Sequence, residues 1–214
     1  MFSRVAKPLQ IVIAVVLGGA IATASACGSD SESPNQPEGE FPLQLNEATL
    51  KPRQRLAETS NLVISVTNTG TQTIPDLAVT IQTRPSDLSP EQAGVPNGSF
   101  SVRLDREDVA IQTRPVWILN ADWPRLNGAD TSAGAQRAQT NTYAFGELEP
   151  GDTAKMDWNL NAVQTGDFIV SWKISPSLSA TSPAVDQAGL PLSGEIEVEI
   201  SGQPAKVRVG ETAP

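Results

Sequence analysis

Met156–Ile174 reads MDWNLNAVQTGDFIVSWKI. Met156, Trp158 and Leu160 alternate with Asp157 and Asn159. After Thr165-Gly166-Asp167, Phe168, Val170, Trp172 and Ile174 alternate with Ile169, Ser171 and Lys173. A period of two over this length marks strands with one buried and one wet face. The Thr-Gly-Asp between them is a turn signal. Both Trp158 and Trp172 fall on the apolar face and are expected in the core.

The same period recurs outward from this stretch. Leu62, Ile64 and Val66 alternate with Val63, Ser65 and Thr67; Leu77, Val79 and Ile81 with Ala78, Thr80 and Gln82; Ile196, Val198 and Ile200 with Glu195, Glu197 and Glu199. Asn68-Thr69-Gly70, Glu149-Pro150-Gly151-Asp152 and Ser201-Gly202 supply further turns. No long stretch carries a helical period. The expected fold is an all-β antiparallel sandwich spanning residues 43–214.

Four runs carry a family likeness: Leu62–Gly70 (LVISVTNTG), Asp76–Ile81 (DLAVTI), Phe145–Asp152 (FGELEPGD) and Thr165–Ile174 (TGDFIVSWKI). At these the chain resembles the bacterial CARDB and DUF11 group of immunoglobulin-like domains. The resemblance implies an immunoglobulin-like sandwich in which the first run is a strand ending in a turn over Asn-x-Gly. A fold of this kind hosts many functions, so it implies no reaction.

About 100 residues suffice for seven such strands, and an extra stretch lies at about 84–140. Phe100–Leu104 and Pro115–Leu119 are candidate added strands there, followed by a Gly-, Ala- and Thr-rich loop from Asn127 to Thr140. IQTRP occurs twice, at 81–85 and 111–115. It reads either as a small duplication or, preferably, as two strands that both stop at proline. At the C-terminal end, Ser201–Pro204 either closes a hairpin that sets Glu199 opposite Lys206 or lies within a continuing strand.

The N-terminus has the layout of an export signal. Arg4 and Lys7 precede an apolar run, Ile11–Ile21, and the small residues Ala22–Ala26 follow. A spanning helix needs about 20 apolar residues, and this run is shorter. Cys27 is the single cysteine. Ala24-Ser25-Ala26-Cys27 resembles the lipobox of bacterial lipoproteins. That implies cleavage after a signal peptide of residues 1–26, a diacylglyceryl group on the Cys27 sulfur, and an extracytoplasmic domain held to the membrane by lipid. Ala24 stands where that family usually has leucine, and Ala24-Ser25-Ala26 also reads as an ordinary A-x-A site from which the chain would be released. Residues 28–42 (GSDSESPNQPEGEFP) are too polar to offset their ordering entropy and read as a disordered tether. Such a coil spans about 20 Å root-mean-square.

None of the 24 acids precedes Cys27 and two of the 15 bases do, so residues 27–214 carry a net charge of −11. This disfavours nucleic acid and anionic membrane surfaces as partners. With no histidine in the chain, the commonest general base and transition-metal ligand are missing. No G-x-S-x-G elbow is present, and nothing calls for a cofactor. Asp105, Glu107 and Asp108, or Glu195, Glu197 and Glu199, would be the carboxylates of a hydrolase. Acids at every second strand position are ordinarily its solvated face. Asn120, Asp122, Asn127 and Asp130 are oxygen-bearing residues that a calcium ion could use, without the spacing of a known loop.

Trp117, among Val116, Ile118 and Leu119, is expected to pack the inserted stretch onto the sheet. Trp123, with Asn127 and Asp130, is the expected partner contact. The reading is a non-enzymatic envelope lipoprotein presenting a sandwich to an envelope protein or wall polymer. The alternative is an accessory or spacer module of an envelope enzyme or transporter complex.

Overall fold

The computed structural model describes residues 39–94, 98–106, 109–127, 136–139, 141–178 and 184–204. In chain order these form β1 (Phe41–Thr49), β2 (Arg53–Leu56), β3 (Thr59–Asn68), β4 (Ala78–Pro85), the single-turn α1 (Pro90–Ala93), β5 (Ser101–Arg106), β6 (Val109–Pro115), β7 (Trp117–Leu119), β8 (Arg125–Asn127), β9 (Gln136–Gln139), β10 (Thr142–Ala144), β11 (Thr153–Ala162), β12 (Gly166–Ser175), β13 (Ala184–Val185) and β14 (Ser193–Pro204).

Two sheets face one another. The first has the order β13-β1-β3-β11-β7, with β8 also pairing β11; the second has the order β2-β14-β12-β4-β10-β9. Taking β1, β3, β4, β11, β12 and β14 as strands A, B, C, E, F and G, the sheets read A-B-E and C-F-G. That is the immunoglobulin-like arrangement. Most pairs are antiparallel. The expectation of a wholly antiparallel fold fails at two edges, where β1 runs parallel to β13 and β2 parallel to β14. Each of these edge strands reaches its neighbour after a crossing between the sheets, so neither needs a tight hairpin.

The alternating residues do fill the space between the sheets. Leu62, Ile64, Val66, Met156, Trp158 and Leu160 meet Val79, Ile81, Phe168, Val170, Trp172 and Ile174, all buried. Tyr143 and Phe145 each form a T-shaped pair with Trp158, ring centroids 5.8 and 5.4 Å apart, the arrangement that aromatic quadrupoles favour. Trp117 is buried as expected and closes one side of the sandwich. Its indole N–H donates to Gln54 Oε1 at 2.8 Å, joining β7 of the first sheet to β2 of the second. Gln54 is itself only 2 % exposed, and its Nε2 donates to the Lys51 carbonyl, so the buried amide is paired at both ends.

Asn68 fixes the first turn. Its Nδ2 donates to the carbonyls of Gln72 at 2.9 Å and Leu148 at 3.0 Å, and its Oδ1 accepts from the Gly70 amide at 3.0 Å. A side chain that mimics a backbone turn in this way is the reason Asn is favoured here. Gly70 packs closely here, since a Cβ would meet Pro42 Cδ at 3.1 Å and push that ring by a few tenths of an ångström. The LVISVTNTG and FGELEPGD runs, distant in sequence, are thus tied through one amide.

Phe41 and Pro42, assigned to the tether, instead open β1, and Phe41 is 2 % exposed. A buried aromatic brings the chain into the sheet two residues early. In the extra stretch, β5 and β6 form a separate antiparallel pair, while β7 and β8 extend the first sheet and β9 extends the second. Asn127, expected to begin a loop, ends β8, and β9 lies inside that expected loop. Both IQTRP copies end a strand at proline, β4 in the second sheet and β6 in the side pair. The hairpin at Ser201–Pro204 does not form. β14 runs through these residues beside β2, and Glu199 lies opposite Arg53.

Candidate functional site

The apolar alternation that buries Met156, Trp158 and Leu160 turns Asp157, Asn159 and Asn161 to the outer face of the first sheet. Directly opposite on β3 stand Val63, Asn61 and Thr59. These polar side chains join in one directed chain. Thr59 Oγ1 donates to Asn161 Oδ1, Asn161 Nδ2 to Asn120 Oδ1 at 2.6 Å, and Asn120 Nδ2 to Asn159 Oδ1. Asn159 Nδ2 then donates to Asn61 Oδ1 at 2.6 Å, and Asn61 Nδ2 to Asp157 Oδ2 at 3.1 Å. The chain ends on a carboxylate, an acceptor only, which sets its direction. Linked dipoles of this kind polarise one another and hold each amide in a single orientation.

The adjoining edge supplies an aromatic group. β7 and β8 pair successive parts of β11, Asn161 with Ile118 and Asp157 with Arg125. Residues 120–124 loop out between them. Asp122 there has φ +66° and the Trp123–Pro124 bond is cis; an aspartate tolerates the left-handed region better than most side chains. Arg125, opposite Asp157 in register, shares the outer face. Its guanidinium lies 4.7 Å from the centre of the half-exposed Trp123 ring, within cation–π range, and its Nε donates to the Asp122 carbonyl. The result is an indole clamped beside the amide chain.

Of the expected contact residues, Trp123 and Asn127 therefore lie on or beside β8 at one edge of this face. Asp130 lies outside the described residues, as does Cys27. Among the oxygen-bearing residues considered for calcium, Asn120 has its amide engaged by Asn159 and Asn161, and Asp122 offers its carbonyl to Arg125. Asn61, Asn159 and Asn161 were not singled out from the sequence. One signal was available: asparagine is depleted in strands, yet three occupy outward positions of two strands that pair.

The outer face of the second sheet is charged. Glu195 accepts both contacts from Arg84 Nη2 at 3.2 Å, and Arg84 Nη1 donates to the Leu88 carbonyl. Two open depressions mark this face. One, of about 300 Å³, is lined by Thr80, Gln82, Ser171, Lys173, Ser193 and Glu195, among others. The second, of about 430 Å³, has Arg53, Asp167, Ile169, Glu197 and Glu199 in its lining. Glu195, Glu197 and Glu199 are exposed along β14, the solvated face that their spacing suggested. Of Asp105, Glu107 and Asp108, the last two lie outside the described residues. Among the described residues no three acidic, cysteine or histidine side chains converge on a point that could hold a metal.

No protein-family model matches this sequence, and no curated protein matches it. Several solved structures are similar at low identity. The CARDB domain of a Pyrococcus furiosus protein, described in complex with di-metal ions, is 12 % identical with a TM-score of 0.40, covering 78 % of this chain and all of that one. A cohesin module from a Clostridium perfringens family 33 glycoside hydrolase is 8 % identical with a TM-score of 0.39, covering 76 % of this chain and 98 % of that one. BslA, a bacterial hydrophobin, is 11 % identical with a TM-score of 0.38, covering 79 % and 99 % respectively. These similarities carry no functional weight; the immunoglobulin-like assignment rests on the sheet order itself.

Proposed function

We propose that this chain is a non-enzymatic lipoprotein of a bacterial envelope, in which an acylated Cys27 holds the sandwich at the membrane. The sandwich binds an envelope polymer or protein through the outer face of its first sheet. The observation that supports this most is the amide chain from Thr59 to Asp157 with Trp123 at its edge. Its side chains are ordered before any ligand arrives, which lowers the entropic cost of binding. The export signal and the cysteine after it support the location. The polar segment before Phe41 supports a spacer that keeps a strongly acidic domain clear of lipid headgroups.

Two measurements test the proposal. Replacing Cys27 with Ser should move the protein from the membrane fraction to the soluble one and remove the mass of the lipid; an unchanged fractionation and mass would refute the anchor. Proximity cross-linking in intact envelopes should capture partners through probes placed near Trp123. Labelling confined to probes on the opposite sheet, near Glu197, would refute the choice of face.

A further inference from the structure

We infer that the amide chain and Trp123 together form a subsite for a neutral polysaccharide. This rests on the binding-face reading above and narrows its ligand to one chemical class. The amide chain leaves hydrogen-bonding capacity unused. Each asparagine amide has two N–H donors and two acceptor lone pairs. The directed chain uses one donor and one lone pair on each of Asn61, Asn120, Asn159 and Asn161, the Asn161 oxygen accepting from Thr59. Among the described residues this leaves one donor and one acceptor on every amide, on β3, on β11 and just past the end of β7, with neighbouring strands about 4.8 Å apart. A hydroxyl is also donor and acceptor at once, so a run of sugar hydroxyls satisfies such a surface without leaving a group unpaired.

Charge also favours a neutral ligand. The four amides are neutral, and the two charges beside them are opposite in sign: the Asp157 carboxylate, 8 % exposed, and the Arg125 guanidinium held over the Trp123 ring. The molecule as a whole is acidic, so an anionic polymer is repelled at long range, whereas a neutral one is not. The indole adds a stacking surface. Arg125 covers one side of Trp123 and pins the ring at the edge of the array, where it can stack on the C–H face of a sugar. A protein partner would call for an apolar anchor pocket at the centre of the patch; here the centre is amide and the aromatic group is peripheral.

The test uses the full chain in mild detergent, run in native gels containing a soluble β-glucan, a mannan or an arabinogalactan, with polygalacturonate as the anionic control. At least one neutral polysaccharide should retard the protein, and polygalacturonate should not. Trp123→Ala and Asn159→Thr should each raise the half-retarding concentration about tenfold, the equivalent of about 1.4 kcal/mol. Threonine suits a strand, so Asn159→Thr breaks the chain of amides while keeping the fold, which the melting temperature checks. Absence of retardation by all three neutral polysaccharides, or retardation untouched by both substitutions, overturns the inference. Membrane fractionation of the Cys27→Ser protein separates the two readings. Cys27-dependent anchoring without glycan binding refutes only the ligand class; glycan binding with Cys27-independent fractionation refutes only the anchor.

Discussion

Replacing Asn68 probes how the two halves of the fold are joined. Its side chain makes three hydrogen bonds from a site 1 % exposed. In Asn68→Ala the three groups left behind fare differently. The Gln72 carbonyl belongs to an exposed residue and re-solvates. The Leu148 carbonyl keeps the Ile74 amide at 2.9 Å. The half-buried Gly70 amide loses the acceptor that shaped its turn. At about 1 kcal/mol per net hydrogen bond, with partial recovery by water, the loss comes to about 2–3 kcal/mol. For a domain of this size that lowers the melting temperature by about 4–12 °C. Urea unfolding followed by tryptophan fluorescence measures it, since Trp117, Trp158 and Trp172 are buried; the midpoint should fall with the slope unchanged. Asn68→Asp is the sharper companion. It keeps the acceptor for Gly70 but sets a carboxylate oxygen where the donor stood, 2.9 and 3.0 Å from two carbonyl oxygens. It should be less stable than Asn68→Ala at neutral pH. A midpoint for Asn68→Ala within about 0.5 kcal/mol of the parent, or an aspartate variant as stable as the parent, would refute the account of the turn.

Two further outcomes follow from local geometry. A Cβ at Gly194 would stand 2.6 Å from Trp172 Cζ2, and that ring is 4 % exposed between its neighbours, so Gly194→Ala should cost about 1–3 kcal/mol. Gly202→Ala, whose nearest contact would be 3.8 Å from Thr165 Cγ2, should cost far less; equal thermal shifts would contradict this. Glu58 accepts from Lys51 Nζ and from the Arg55 amide, and these donors, the lysine foremost, hold its carboxyl below the ordinary 4.5. Its stabilisation is therefore complete above pH 4.5 and is lost as pH falls through the lower folded value. Glu58→Gln should remove that part of the acid sensitivity, about 0–1 kcal/mol because the pair is near the surface; a stability curve below pH 4.5 as steep as the parent's would count against the pairing.

Which side of each long strand is buried is readable from the order of its amino acids. Leu62, Ile64, Trp158, Val170 and their kind repeat at a period of two, and a sheet buries every second residue whatever its neighbours are. The Asn-x-Gly turn was legible too, because the Asn68 bonds to Gln72 and Gly70 lie within a few residues, whereas its bond to Leu148 was not. Periodicity says nothing of which strand lies alongside, and that the tertiary structure alone decided. The Thr165–Asp167 turn carries the chain from β11 in one sheet to β12 in the other. β2 is four residues long, too short to show a period, and finds β14 only by parallel pairing. Asn61 and Asn159 are 98 residues apart, and Asn120 and Asn161 are 41 apart. Each looks like an ordinary polar residue on a wet face until the fold sets them side by side. Hydrophobic burial is a property of one strand's own pattern, whereas a chain of amides exists only between strands, so the fold class was legible in the sequence and the candidate binding face was not.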